Sequence, residues 1–169
     1  METETMGRGM MVVACALGIG LLTLFFNAAE EQQRNPNQNP DTETGAQSHK
    51  VELDRNRAGH YLVTGTINKM PAEFLLDTGA TDVVIPAALA ANMRLNRGRP
   101  TRAMTANGPV TVYATTIDEL SIGGISLYNV RASLNPAMAA PQILLGMSAL
   151  KQIEFIQRGD SLTLIQHLE

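Results

Sequence analysis

The sequence predicts a mostly β domain behind one membrane-spanning helix, and three observations predict it. From about residue 50 onward, short apolar runs alternate with polar residues and are separated by glycine, proline and asparagine turn signals. The chain has 4 Phe, 3 Tyr and no Trp among 169 residues, so its core must be built from aliphatic side chains. Residues 9–29, "GMMVVACALGIGLLTLFFNAA", hold no charge at all. A composition of 44% hydrophobic and 17% charged residues suits one modest globular domain plus such a segment, and does not suit a disordered chain.

The uncharged run lies between Arg8 and Glu30. A helix over residues 9–29, at about 1.5 Å per residue, matches a hydrocarbon core of roughly 30 Å. The rival reading is a cleaved signal peptide, whose apolar stretch is usually about 7–15 residues and ends at a small-residue cleavage site. "FFNAAE" offers no clean site of that kind, which favours an uncleaved anchor. Arg8 precedes the helix and acids follow it, so residues 1–8 form a cytoplasmic head and the remainder faces outward. Residues 30–49 are rich in Asn, Gln, Pro and acids and read as a flexible polar linker. The folded domain is then residues 50–169.

That domain carries eleven Lys and Arg against ten Asp and Glu, so no overall field argues for nucleic acid. Arg94, Arg97, Arg99 and Arg102 form one local basic cluster, read as a solvated loop beside a helix end. The single Cys15 excludes an intrachain disulfide. His49, His60 and His167 are far apart and fit no metal-ligand spacing, so neither a metal nor an organic cofactor is expected.

Within the domain, residues 60–68 and 72–77 read as a hairpin with its turn at Lys69-Met70-Pro71. Pro86 and the helix formers after it predict a short helix ending near Gly98. Asn107-Gly108 marks a second hairpin with its tip at residues 106–109, and Gly123-Gly124 a third. "QILLG" is a short strand, "MSALKQI" a short helix and "SLTLIQH" a last strand. The sum is seven or eight strands and two short helices in closed or packed sheets.

One stretch needs a separate explanation. "FLLDTGATDVVIP", residues 74–86, places Asp77 between two apolar runs, where an ionised carboxylate is costly unless it is paired or hydrogen-bonded. An Asx turn that ends a strand is the ordinary use of Asp-Thr-Gly. The apolar flanks argue instead for a turn folded back into the interior, where Gly79 lets another chain approach closely.

These residues resemble the active-site turn of the retropepsin-like aspartic proteases, and "ILLGMSAL", residues 143–150, is similar to that family's second signature of aliphatic residues, a glycine and a short helix. "MTANGPVTV" between them is similar to the family's flap, and with its anchor the chain looks most like the membrane-tethered bacterial branch. The resemblance covers about residues 61–166. It implies a closed β-barrel of the acid protease fold, with Asp77 as the catalytic carboxylate and Thr78, Gly79 and Ala80 completing the turn. Thr105, Ala106, Asn107 and Gly108 would form the flap, and Leu144, Leu145 and Gly146 would support the turn. Thr81 departs from the acid often found at that position in viral members.

Hydrolysis of peptide bonds by such chemistry needs two carboxyls that share a proton, and this chain has one Asp-Thr-Gly. A domain of about 120 residues is too small for the two-lobed, single-chain form, so the resemblance implies a homodimer acting on an extended peptide or protein. The location implied is a bacterial inner membrane with the domain in the periplasm. A rival reading keeps the fold as a silent peptide-binding or dimerisation module. A serine hydrolase at "GMSAL" is weaker, because the closing glycine of G-x-S-x-G is missing and no histidine stands out as base.

Overall fold

The computed structural model describes residues 2–105 and 108–168. Helix α1 (Glu2–Arg34) is followed by β1 (Thr42–Thr44), β2 (Ser48–Asp54), β3 (Leu62–Ile67), β4 (Met70–Leu76) and β5 (Val83–Pro86). Then come β6 (Pro100–Thr105), β7 (Gly108–Ile122), β8 (Ile125–Asn135), β9 (Ile143–Leu145), α2 (Met147–Leu150), β10 (Glu154–Arg158) and β11 (Ser161–His167). The mostly β architecture is as the sequence predicts. The eleven strands among the described residues outnumber the expected seven or eight because β1, β2 and β10 carry too few apolar residues to announce themselves.

Seven strands form one sheet in the order β3-β4-β9-β5-β8-β7-β6, and β3 also pairs with β7, which closes six of them into a barrel. The closure requires Gly65: a β-carbon there would stand 2.2 Å from the Ser121 carbonyl oxygen. β9 inserts between β4 and β5, parallel to the first and antiparallel to the second. The second sheet, β1-β2-β11-β10, packs Val51, Leu53, Leu162 and Leu164 into the same core as Phe74, Ile85, Ile117 and Ile143. As the composition requires, that core is aliphatic apart from Phe74.

Several local expectations need correction. The β3–β4 turn falls on Asn68 and Lys69, both with positive φ (50° and 68°), while Met70 and Pro71 belong to β4. Asn68 tolerates that conformation and is held on three sides: its side chain bonds the Met93 carbonyl and the Glu119 N–H, and its own N–H bonds the Glu119 carbonyl. The helix expected after Pro86 is one 3₁₀ turn, Ala87–Leu89, with no side-chain cap. Arg97 lays its guanidinium 3.4 Å above the centre of the Tyr113 ring, in keeping with a loop that packs on the barrel wall.

The largest difference concerns residues 30–49. Helix α1 does not stop at the end of the apolar run but continues to Arg34, and β2 already begins at Ser48. Between them Asn35 is fully buried and Asn37 is 5% exposed. The Asn37 side chain donates to the Asp54 and Leu62 carbonyls and accepts the Asp54 N–H, while its backbone carbonyl accepts the Thr64 N–H. Asn35 donates to Thr64 Oγ1 and Glu73 and accepts the Asn37 N–H. A polar segment can therefore be ordered without an apolar face, because each buried amide replaces its water bonds with bonds to the barrel. By length and composition, α1 is long and apolar enough to cross a membrane.

Replacing Asn37 by Ala removes three side-chain bonds and leaves the buried Leu62 carbonyl and the part-buried backbone groups of Asp54 without that partner, so a loss of about 2–4 kcal/mol is expected. Arg55→Ala, which breaks an exposed pair with Asp160, should cost less than about 1 kcal/mol. Denaturant unfolding of the detergent-solubilised chain compares the two, and equal effects would contradict the structural role given to Asn37.

Candidate active site

Asp77 follows directly on β4, and residues 77–82 loop over the end of β9 to enter β5. The Asp77 N–H donates to the Leu145 carbonyl at 3.2 Å, which continues the parallel β4–β9 ladder one residue past Leu76. Asp77 Oδ1 accepts the Gly79 N–H at 2.9 Å and the Asp77 carbonyl accepts the Ala80 N–H, so the Asx turn and a backbone turn coexist. A β-carbon on Gly79 would come within 3.1 Å of Asp77 Oδ1. Gly79 therefore leaves the carboxylate room as well as its N–H.

The turn is clamped from below. Gly146 follows β9, and a β-carbon there would lie 2.1 Å from the Asp82 carbonyl oxygen and 2.7 Å from that of Ala80. Only glycine allows this approach. The first residues of α2 then donate into the loop, Met147 N–H to the Ala80 carbonyl and Ser148 N–H to the Thr81 carbonyl. Ser148 Oγ donates to the Arg131 carbonyl at 2.6 Å and accepts the Val83 N–H at 2.9 Å, which ties β8, α2 and the start of β5 together. Leu144 pairs with Val84, and Leu145 with Leu76. Leu144, Leu145 and Gly146, the residues expected to support the turn, therefore lie against its two flanking strands and its carbonyls, together with Met147 and Ser148.

Ser148, 4% exposed with both hydroxyl functions engaged, is thereby a brace rather than a nucleophile. Its bracing role has no sequence signal beyond its place after Gly146. Two further residues carried no signal at all: Asp82 Oδ1 accepts from Arg131 Nε at 2.7 Å on the rim of the site.

The interior position expected of Asp77 requires correction. Within the single chain the acid is half-buried, and Thr78 and Gly79 are exposed. The Thr78 hydroxyl makes no hydrogen bond among the described residues.

Above the turn stands the β6–β7 hairpin. Thr105 pairs with Gly108, whose φ of +102° suits glycine, and Thr105 Oγ1 donates to the Gly108 carbonyl. Ala106 and Asn107, the other two residues assigned to the flap, lie outside the described residues. Between hairpin and turn is an open cleft of about 760 Å³, floored by Asp77, Ala80, Val84 and Leu144 and overhung by Ala103, Met104 and Val112. A second groove of about 770 Å³ lies on the four-stranded sheet beneath residues 36–43 and shares no residue with the first. The cleft is a trough of mixed character, with Asp77 on its floor and Asp82 and Arg102 also in its lining, a shape suited to an extended chain.

Comparison with known proteins agrees with this geometry. Residues 63–152 match the model of a family described as "gag-polyprotein putative aspartyl protease". The chain is 33% identical over 119 residues to the "Uncharacterized protein in cobV 5'region" of Sinorhizobium sp, an alignment covering 68% of this chain and 51% of that protein. The chain thus spans about half the length of this curated relative. A crystal structure of a retropepsin-like aspartic protease from Rickettsia conorii superposes with a TM-score of 0.61 at 23% identity, covering 76% of this chain and 97% of that one. EIAV protease complexed with the inhibitor HBY-793 aligns at 25% identity and a TM-score of 0.46, over 57% and 89% of the two chains.

Gly146→Ala should displace the turn or unfold the domain, with a cost of several kcal/mol, because backbone atoms rather than a flexible side chain occupy the space. Ser148→Ala leaves the buried Val83 N–H unpaired and should cost about 1–3 kcal/mol, against less than about 1 kcal/mol for Arg131→Ala at the exposed ion pair. Thermal unfolding of the three variants tests this order.

Proposed function

The chain belongs to the retropepsin-like family of aspartic proteases, and from that premise we propose that it is a membrane-anchored endopeptidase whose site is completed by a second copy of the same chain. The observation that carries the reading is the clamped turn: a carboxylate held by the Gly79 N–H, on a loop pinned to β9 and α2, opening into a cleft beneath a hairpin. One such carboxylate is half of the required chemistry. Two Asp77 side chains facing each other across a two-fold axis supply the other half.

In the assembled pair one carboxylate takes a proton from a water as the water oxygen attacks the scissile carbonyl carbon, and the other, protonated, donates to the carbonyl oxygen. The tetrahedral intermediate then collapses as the C–N bond breaks and the leaving nitrogen receives a proton, which yields a carboxylic acid and an amine. The open state of Asp77, Thr78 and Gly79 in the single chain supports this assembly, since the surface that a partner turn would cover is the one left exposed. The half-exposed acid equally suits the silent peptide-binding module, which needs no second carboxylate.

Peptide cleavage separates the two. The parent should cleave a diverse peptide mixture with a bell-shaped rate against pH, because activity requires one shared proton on the pair. Asp77→Asn should lower the rate by at least about 10³-fold while leaving the fold intact. Co-folded mixtures give the sharper result: with half the chains Asp77→Asn, activity should fall to about a quarter, the share of dimers with two intact acids. A fall to one half would mean that each chain acts alone, and no cleavage by a folded dimer would favour the binding module.

A further inference from the structure

Arg34 ends the helix that carries the apolar run, and its guanidinium bonds both Glu73 oxygens, at 2.6 and 2.8 Å, and both Glu31 oxygens, at 2.6 and 3.1 Å. These carboxylates hold Arg34 well above the usual arginine range, and Arg34 holds Glu31 below the usual carboxylate range. The Arg34 carbonyl accepts from Asn56, and Gln33 accepts from Arg57, both on the turn before β3. The next residues are the buried Asn35 and Asn37, already bonded to β2, β3 and β4. Helix and barrel are thus joined by charge-assisted and buried bonds at several points on three strands, with no free residue between them to act as a hinge.

We propose that the Arg34–Asn37 junction makes the anchor and the protease barrel one rigid body, so that substrates are selected by height: extended segments lying near and parallel to the membrane surface. The inference rests on the membrane-anchored dimeric protease proposed above. The height follows from the covalent path. About 7 Å of helix separates residue 29 from Arg34, and about 13 Å of strand separates Glu73 from Asp77. With the Arg34 and Glu73 side chains between them, the catalytic carboxyl stands within about 30 Å of the hydrocarbon edge. The orientation follows from symmetry. Two rigidly mounted anchors inserted in the same direction require a two-fold axis along the membrane normal, since an axis in the membrane plane would turn one anchor over. A peptide that crosses this axis between the two Asp77 side chains then runs parallel to the bilayer. The substrate class is a stretch of a membrane-apposed protein, rather than a free soluble chain.

Rigidity is read independently of activity. Cys15 is the chain's one cysteine and is exposed on α1, so spin labels at Cys15 and at Asp118→Cys, in full-length protein diluted with unlabelled chains in bilayers, report one distance across the junction. A single narrow distribution is expected, broadened when six Gly and Ser residues are inserted after Ala29, which leaves the junction residues untouched. A broad distribution in the parent overturns the rigid mount, whether or not the chain is a protease. Height is read by co-reconstituting the full-length protein with a transmembrane helix that displays one cleavable sequence, taken from the peptide mixture, on polar spacers of increasing length. The parent should cleave short spacers at least about tenfold faster than spacers that reach well beyond 30 Å, and the insertion variant should lose that preference. Equal cleavage at all spacer lengths by the parent overturns height selection while leaving the protease reading intact. If the peptide mixture itself is never cleaved, it is the protease reading, and the substrate class with it, that fails.

Discussion

Everything at the site depends on a strand being threaded through a gap that tolerates no side chain. β9 passes between β4 and β5 and ends at Gly146, directly beneath the carbonyls of Ala80 and Asp82. That contact holds together two stretches of chain far apart in sequence, Gly146 and residues 80–82. If the glycine carried a methyl group, α2 would not reach the turn with its two N–H donors, and Ser148 would lose its place between β5 and β8. Asp77 is fixed as a consequence: its backbone is an extension of the β4–β9 ladder, and its carboxylate is aimed by a neighbour's N–H. Rigidity of the backbone, rather than a network of side chains, positions the acid.

Much of this was legible in the sequence because backbone constraints leave compositional marks. A glycine after three aliphatic residues, an acid before Thr-Gly and an Asn-Gly pair each mark a position where few residue types fit. The strands between them show their alternation for the same reason. Residues 30–49 left no such mark. Asn35 and Asn37 are indistinguishable by composition from solvated linker asparagines, and only the bonds to Asp54, Leu62, Thr64 and Glu73 reveal their function. Side-chain amides that satisfy distant backbone groups depend on a register that no local window contains.

The opposite error concerns Asp77. The apolar runs on either side suggested burial, yet these runs bury their own side chains in the barrel and leave the turn at its edge. Alternation along a strand locates the core-facing residues but says nothing about what lies beyond the strand's end. The half-buried state of the acid is nevertheless informative. A carboxylate that is aimed by its own loop and partly open to water keeps part of its hydration in one chain. In the dimer proposed above, the unfavourable step of bringing two such groups close would come only when two chains meet, and a shared proton would relieve it.

The same hairpin that presents the acid also receives the end of α1. Glu73 lies in the middle of β4, where it faces Arg34 and Asn35, and the strand runs on through Phe74, Leu75 and Leu76 to Asp77. Phe74 is fully buried and Leu75 pairs with both Leu62 and Leu144, so this short length of strand is gripped on both edges. A displacement of the helix end is therefore passed to the strand that carries the carboxylate rather than absorbed by a loop. Helix α1, strand β4 and the Asp77 turn form one continuous mechanical element, which is the basis on which the proposed pairing of two chains would place both acids at the same height.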